Sequence, residues 1–162
     1  CVVVLTESGN IKRVPTSSFR TQKRNGKGVK TQDDITNMVL RTNTIDSLMI
    51  FTDKGKMYRL LVDEIPVGTN ASKGVRLGTL INMDQDDEVI AITSLARSNT
   101  AKYVVFFTKQ GLMKKTYLDE YTKVKRSTGI AAIKINDGDS IANVEFINEE
   151  DILVIHFIIL KG

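Results

Sequence analysis

Residues 21 to 30, TQKRNGKGVK, gather Lys23, Arg24, Lys27 and Lys30 around Gly26 and Gly28 and contain no acid. The chemistry such a stretch offers is anion binding. Arg presents a planar bidentate fork and Lys a flexible point charge. The glycines let backbone N–H groups approach phosphate oxygens closely, and Asn25 tolerates positive φ. A solvated loop is the plain alternative, so its neighbours carry the decision. No recognition helix is visible and aromatics are only 6% of residues, which speaks against the reading of bases.

Other chemistry finds little support. His156 stands in an apolar run with no second His or Cys nearby, and a packed or edge-strand histidine is the expectation. The cluster DQDDE, Asp84 to Glu88, lacks the spacing of a calcium loop and reads as a solvated turn. NDGDS, Asn136 to Ser140, reads as a hairpin turn. Tyr58, Tyr103, Tyr117 and Tyr121 lie in strand-like segments and read as packing residues. There is no nucleophile–base arrangement and no Walker motif, so neither a catalytic residue nor a metal ligand is expected. Cys1, the single cysteine, excludes an internal disulfide and fits a reducing compartment. The longest apolar run, Ile152 to Leu160, is nine residues, too short to cross a bilayer as a helix.

The positive charge is unevenly placed. Residues 1 to 46 hold eight Lys or Arg against four acids, residues 47 to 101 six against seven, and residues 102 to 162 nine against eight. Charge concentrated in this way attracts polyanions.

The elements that must position these cations repeat. VVVLTESGNIKRV, SLMIFTDKGKMYRL and YVVFFTKQGLMKKT each run from an apolar stretch through Thr, two residues and Gly into an apolar-then-basic stretch. The glycines are Gly9, Gly55 and Gly111, and a second set, Gly28, Gly74 and Gly129, follows 19, 19 and 18 residues later. The apolar runs are rich in β-branched and aromatic residues and read as strands, with Gly supplying positive φ at a tight turn. A further hairpin signal recurs in NMVLRTNTIDSLMIF, AITSLARSNTAKYVVFF and ANVEFINEEDILVIHF. No window shows a convincing helical period, so helices should be scarce. The fold expected is all-β: propeller-like blades of about four strands, at approximately 1–46, 47–101 and 102–151, with 152–162 a final strand or the start of a further repeat. Both ends lie at apolar runs, and three blades are few for a closed array, so a piece of a longer protein is expected. Its open blade edges would leave it able to pair with a second copy.

Each unit puts cations on the equivalent loop: Arg20, Lys23, Arg24, Lys27 and Lys30 in the first, Lys73 and Arg76 in the second, Lys123, Lys125 and Arg126 in the third. At this point the chain resembles a family. QKRNGKG, Gln22 to Gly28, is similar to the Q-R-R-G-G-K-G signature of the C-terminal domain of the DNA gyrase A subunit, with Lys23 for Arg and Asn25 for Gly. The flanking VVVLTESGNIKR, DKGKMYRL, GVRLGTLI, GLMKKTYLDEY and TGIAAIKINDGDSI agree with the same family over essentially the whole chain.

That resemblance implies a six-bladed β-pinwheel, of which about three blades are present, with strands exchanged between neighbours. It implies right-handed wrapping of double-stranded DNA around a basic rim, which presents a segment for strand passage so that the holoenzyme introduces negative supercoils. The DNA-facing residues it implies are Gln22, Lys23, Arg24, Asn25, Gly26, Lys27 and Gly28, with Lys12, Arg13, Arg20, Lys30, Arg59, Lys73, Arg76, Lys114, Lys115, Lys125 and Arg126. The implied partners are a second A subunit, together with the B subunit of gyrase, and no membrane is implied. The chain is expected to be non-catalytic and free of cofactor, with ATP and magnesium acting elsewhere in the holoenzyme, in the bacterial cytoplasm at the nucleoid. The alternatives are a protein-interaction propeller with a basic rim and the equivalent domain of the topoisomerase IV A subunit.

Overall fold

The computed structural model describes residues 1–20, 35–95, 101–122 and 129–148, with Phe19 and Arg20 as backbone alone. Among the described residues eleven strands carry the fold: β1 (Val2–Thr6), β2 (Asn10–Val14), β3 (Thr36–Arg41), β4 (Ser47–Thr52), β5 (Lys56–Leu61), β6 (Val75–Arg76), β7 (Val89–Ser94), β8 (Tyr103–Thr108), β9 (Met113–Tyr117), β10 (Ile130–Ala131) and β11 (Ile141–Ile147). Among the described residues, helix is confined to α1 (Thr16–Arg20), α2 (Asp119–Thr122) and two single 3₁₀ turns.

The Thr-x-x-Gly motif builds the same turn three times. Gly9, Gly55 and Gly111 have φ of 86°, 78° and 88°, a region an L side chain enters only with strain. Each glycine N–H donates to the carbonyl of the preceding Thr6, Thr52 or Thr108, at 3.0, 3.1 and 3.0 Å. The threonine hydroxyl then accepts the N–H just past the glycine: Asn10 at 3.1 Å, Lys56 at 3.3 Å and Leu112 at 3.0 Å. These bonds close the β1–β2, β4–β5 and β8–β9 hairpins.

Three antiparallel sheets result, with strand orders β3-β1-β2-β6, β7-β4-β5-β10 and β11-β8-β9. The fourth strand of a sheet comes from the next unit. β6, in the second repeat, pairs with β2 through Asn10–Arg76 and Ile11–Val75. β10, in the third, pairs with β5 through Met57–Ile130 and Lys56–Ala131. The chain is therefore a pinwheel of three blades joined by exchanged strands, and Gly74 and Gly129, the second glycines of the second and third units, open the exchanged strands. Three residues beyond them, Leu77 and Ala132 donate N–H to the carbonyls of Gly9 and Gly55 at 2.9 and 2.8 Å. The two glycine landmarks thus meet across a seam.

The middle strands are buried on both faces, which is why their sequences are unbroken apolar runs. Along β4, Leu48 and Ile50 enter a core shared with Val3, Leu5 and Ile11 of the first sheet. Met49 and Phe51, on the other face, enter a core shared with Val104 and Phe106 of the third. Phe51 meets Phe106 and Tyr121 edge-on, with centroids 5.6 and 5.9 Å apart, an arrangement the ring quadrupoles favour. Strand β7 packs against both β3 and β11, so the first strands in each order form the inner side of the array.

Two expectations need correction. NMVLRTNTIDSLMIF does contain strand, turn and strand, and AITSLARSNTAKYVVFF contains two strands, yet neither pairs its own two strands as a hairpin. β3 and β4, like β7 and β8, lie in different sheets. Both flanks are apolar because each strand pairs elsewhere, and the turn between β3 and β4 is tied instead by Asp46, whose Oδ2 accepts from Thr42 Oγ1 and Asn43 N at 3.1 and 3.0 Å. Asn136 to Ser140 does form a tight turn, with Gly138 at φ 77° and Asp139 N donating to Asn136 O at 3.0 Å, but the strands it links, β10 and β11, also belong to different sheets.

Candidate nucleic-acid interface

The cations that lie on described strands are sorted by strand, with Lys54, Lys102, Lys109 and Lys134 in turns and connections. The middle strands β1, β4 and β8 carry none. The inner strands β3, β7 and β11 carry Arg41 alone, against Glu145. Outside them, β2 carries Lys12 and Arg13, β5 carries Lys56 and Arg59, β9 carries Lys114 and Lys115, and β6 carries Arg76, with Lys73 just before it. Positive charge lies on the outer half of every sheet. The physical reason is burial: middle strands are covered on both faces, where an unpaired charge is costly.

Lys73, Arg76, Lys114 and Lys115 are exposed. Lys115 Nζ lies 4.0 Å from the centroid of the Tyr103 ring, itself 4.9 Å from the ring of Tyr117. Tyr117 packs on Tyr103 as a strand residue but is 60% exposed, so it stands at the surface, while Tyr58, Tyr103 and Tyr121 are buried.

Arg13 and Arg59 occupy the same position of successive repeats and do the same work. Arg13 Nε donates to the carbonyl of Ile65 at 2.6 Å, in the second repeat. Arg59 donates to the carbonyl of Thr122 at 3.3 Å, in the third, and to Ser47 Oγ at 3.2 Å. Both are half-buried seam residues that tie one unit to the next. Lys115 is their counterpart in the third unit. The signal was in the sequence as a basic residue four after each turn glycine, but its meaning depends on which unit lies across the seam.

Lys12 departs from its expected place on the DNA-facing surface. It is 2% exposed, and its ammonium donates to the carbonyls of Thr69, Asn70 and Ser72 at 2.8, 3.0 and 2.7 Å. Three acceptors use all three N–H bonds of an ammonium. Loss of solvation lowers its pKa below the usual lysine value.

The acidic cluster is the exposed turn expected, except at one residue. Asp84, Asp86 and Glu88 are exposed, but Asp87 is buried, with Oδ1 3.2 Å from Lys54 Nζ. Lys56 Nζ lies 2.8 Å from Asp84, and these bonds raise both lysine pKa values and lower that of Asp84. Asp139 is the counterpart of Asp87 in the third unit, two residues before β11 as Asp87 is before β7. Burial opposes its charge, but the Thr108 hydroxyl and backbone N–H groups of Ser140, Gln110 and Lys109 hold its pKa below the usual carboxylate value. Each acid braces the Thr-x-x-Gly turn of its own unit. Sequence reading missed this role, although the equal offset from the following strand marks it. Among the described residues no group of three or more His, Cys, Asp or Glu is placed to hold a metal.

Gln22 to Gly28, Lys30, Lys123, Lys125, Arg126 and His156 lie outside the described residues, as does the side chain of Arg20. Among the described residues no helix is long and apolar enough to cross a membrane.

A family model described as DNA gyrase C-terminal domain, beta-propeller, matches residues 2–37, 46–96 and 102–148. The DNA gyrase A subunit of Clostridium acetobutylicum is 32% identical over 158 residues, 95% of this chain and 19% of that protein. Its Leptospira biflexa counterpart is 40% identical over 147 residues, 88% of this chain and 17% of that protein. The chain thus spans less than a fifth of the length of these curated relatives. A crystal structure of the C-terminal domain of DNA topoisomerase IV superposes with a TM-score of 0.75 at 28% identity, over 90% of this chain and 45% of that one.

Proposed function

The chain belongs to the DNA gyrase C-terminal domain family, and on that premise we propose that it binds duplex DNA along the outer strands of its blades and bends it. The observation that carries this reading is the partition of charge among the described strands: exposed Lys73, Arg76, Lys114 and Lys115 lie on or beside the outer strands, whereas the inner strands carry one cation, Arg41, and one acid, Glu145. Lys and Arg on a convex edge neutralise phosphates and release counterions, a term that needs no base contact. Bending a 20–30 bp site by 40–90° costs on the order of 1–6 kcal/mol, so one loop cannot hold a wrap and a series of them is needed.

Within the whole protein, the wrap is right-handed and presents a DNA segment for strand passage. A holoenzyme that contains a second A subunit, together with the B subunit of gyrase, thereby introduces negative supercoils. The chain itself contributes no catalytic residue and no cofactor, and acts in the bacterial cytoplasm. The likeness to a topoisomerase IV domain favours a second reading, the corresponding domain of that enzyme, which the near-intact QKRNGKG sequence opposes.

Binding of duplexes of increasing length over a salt series tests the proposal. Affinity should rise with length and fall with salt at a log–log slope of about −4.5 if about five cations meet phosphates. Little affinity for plain duplex at physiological salt would point instead to an acidic protein partner. Ligation of nicked circles around the bound chain reads the handedness of the wrap and separates the two topoisomerase readings. Lys23, Arg24 and Lys27 changed together to Ala should abolish wrapping and leave the fold intact.

A further inference from the structure

The side chain of Lys12 is enclosed by a loop of the following repeat. Gly68 and Gly74 flank its stem: a Cβ built on Gly68 would fall 3.3 Å from Lys12 Cδ, and one on Gly74 3.2 Å from Lys12 Cβ. Between these glycines the loop closes over the ammonium with the carbonyls of Thr69, Asn70 and Ser72. The loop is also bonded to itself, Thr69 N donating to Ser72 Oγ at 3.0 Å and Ser72 N to Thr69 O at 3.2 Å. A second tether reaches back to the first repeat, from Asn70 Nδ2 to Ser18 O at 3.1 Å. The next residues along the chain are Lys73, exposed, and then Gly74, Val75 and Arg76, of which Arg76 is exposed on β6.

We propose that Lys12 is a positioning residue for DNA binding: it holds the loop from Gly68 to Gly74 so that Lys73 and Arg76 of the second repeat stand in line with the outer edge of the first. This rests on the reading of the outer strands as the DNA-binding surface. Lys12 makes no phosphate contact itself, because all three of its donors are engaged by carbonyls in a buried socket. Its charge orients three carbonyl dipoles, and a neutral side chain of the same length would leave them turned toward an apolar stem. In the second repeat the equivalent position is Tyr58, whose ring packs against Gly129. At that position the second seam carries a packed aromatic ring where the first carries a buried ammonium.

A double-mutant cycle on the full chain tests the assignment. Lys12→Met should weaken duplex binding about tenfold at fixed salt, and shrink the salt slope by up to about 1.8, two contacts at about 0.9 each, since both exposed cations lose their place. In a Lys73→Ala/Arg76→Ala background the same Lys12→Met change should do nothing further to affinity or slope, because residues acting as one unit are not additive. A merely structural role would lower thermal stability equally in both backgrounds and leave binding at the assay temperature unaffected, which would overturn the proposal. A further fall of about 0.9 in slope in that background would make Lys12 a direct phosphate contact and overturn it too. Should Lys12→Met fail to fold, Lys12→Gln, which keeps a polar donor but loses the ammonium, takes its place, and wild-type binding by that variant would refute the assignment. Failure of the parent reading looks different: Lys73→Ala/Arg76→Ala alone would then leave duplex binding unchanged.

Discussion

Gly129 of the third repeat rests on the ring of Tyr58 in the second, so closely that an added Cβ would lie 2.6 Å from both Cε1 and Cζ. Tyr58 is 1% exposed and held in the core beside Leu48, Ile50 and Leu60, so the ring has nowhere to retreat. The seam between two blades is thereby set by the absence of a methyl group.

Gly129→Ala should destabilise the fold by about 1–3 kcal/mol, the range of overpacking. Urea unfolding with the Tyr58→Leu partner checks the cause. The double variant should be more stable than the sum of the two changes, because the smaller side chain makes room. Strict additivity would show that the glycine is needed for some other reason.

The turn hydroxyls give a second test. Thr108→Val removes the acceptor for Leu112 N–H in a buried site and should lower stability by about 1–3 kcal/mol. Thr108→Ser restores an acceptor and should recover most of the loss. Equal instability of the Ser and Val variants would show that the hydroxyl acceptor alone does not account for the loss.

Asp139 makes stability depend on acid pH. Its folded pKa lies below the ordinary 3.8, so its contribution is present above that value and is lost as pH falls through the folded value. Asp139→Asn should flatten the acid limb of a stability–pH curve and leave the shape of the neutral plateau unchanged. Lys54 acts with the opposite sign: its raised pKa gives stability present below the ordinary 10.5 and lost above it as the ammonium deprotonates. Lys54→Met should therefore flatten the alkaline limb, as followed by thermal unfolding.

For DNA, Lys114→Ala/Lys115→Ala should reduce the salt slope of duplex binding by up to about 1.8, and Arg41→Ala should leave it unchanged. Anisotropy titrations across a salt series measure both. An inner-strand Arg41 that shifts the slope as much as the β9 pair would refute an outer binding face.

Much of the fold was legible in the chain because the signals are local. A Thr-x-x-Gly turn needs one hydroxyl four residues from one N–H and one positive φ, and all three lie within five residues of sequence. Apolar runs such as SLMIFT announce strands covered on both faces. The repeated glycines Gly74 and Gly129 were visible as landmarks, but their purpose was not: each faces a residue of the preceding unit, Ile11 and Lys12 in one case and Tyr58 in the other. Likewise the polar turns after β3 and β7 looked like hairpins, since sequence reports that two strands follow one another and not that they pair.

The site divides in the same way. Residue types alone determined that the outer stretch of each repeat is basic and that the chain suits phosphate better than bases. Tertiary structure decided which cations remain available. Lys12, Arg13 and Lys73 are alike in charge, yet Lys12 is enclosed by carbonyls, Arg13 is bonded across a seam and Lys73 is exposed. The physical reason is that a charge is a property of a residue, whereas its solvation and its partners belong to whatever the fold brings against it, here a loop some 57 to 60 residues further along the chain.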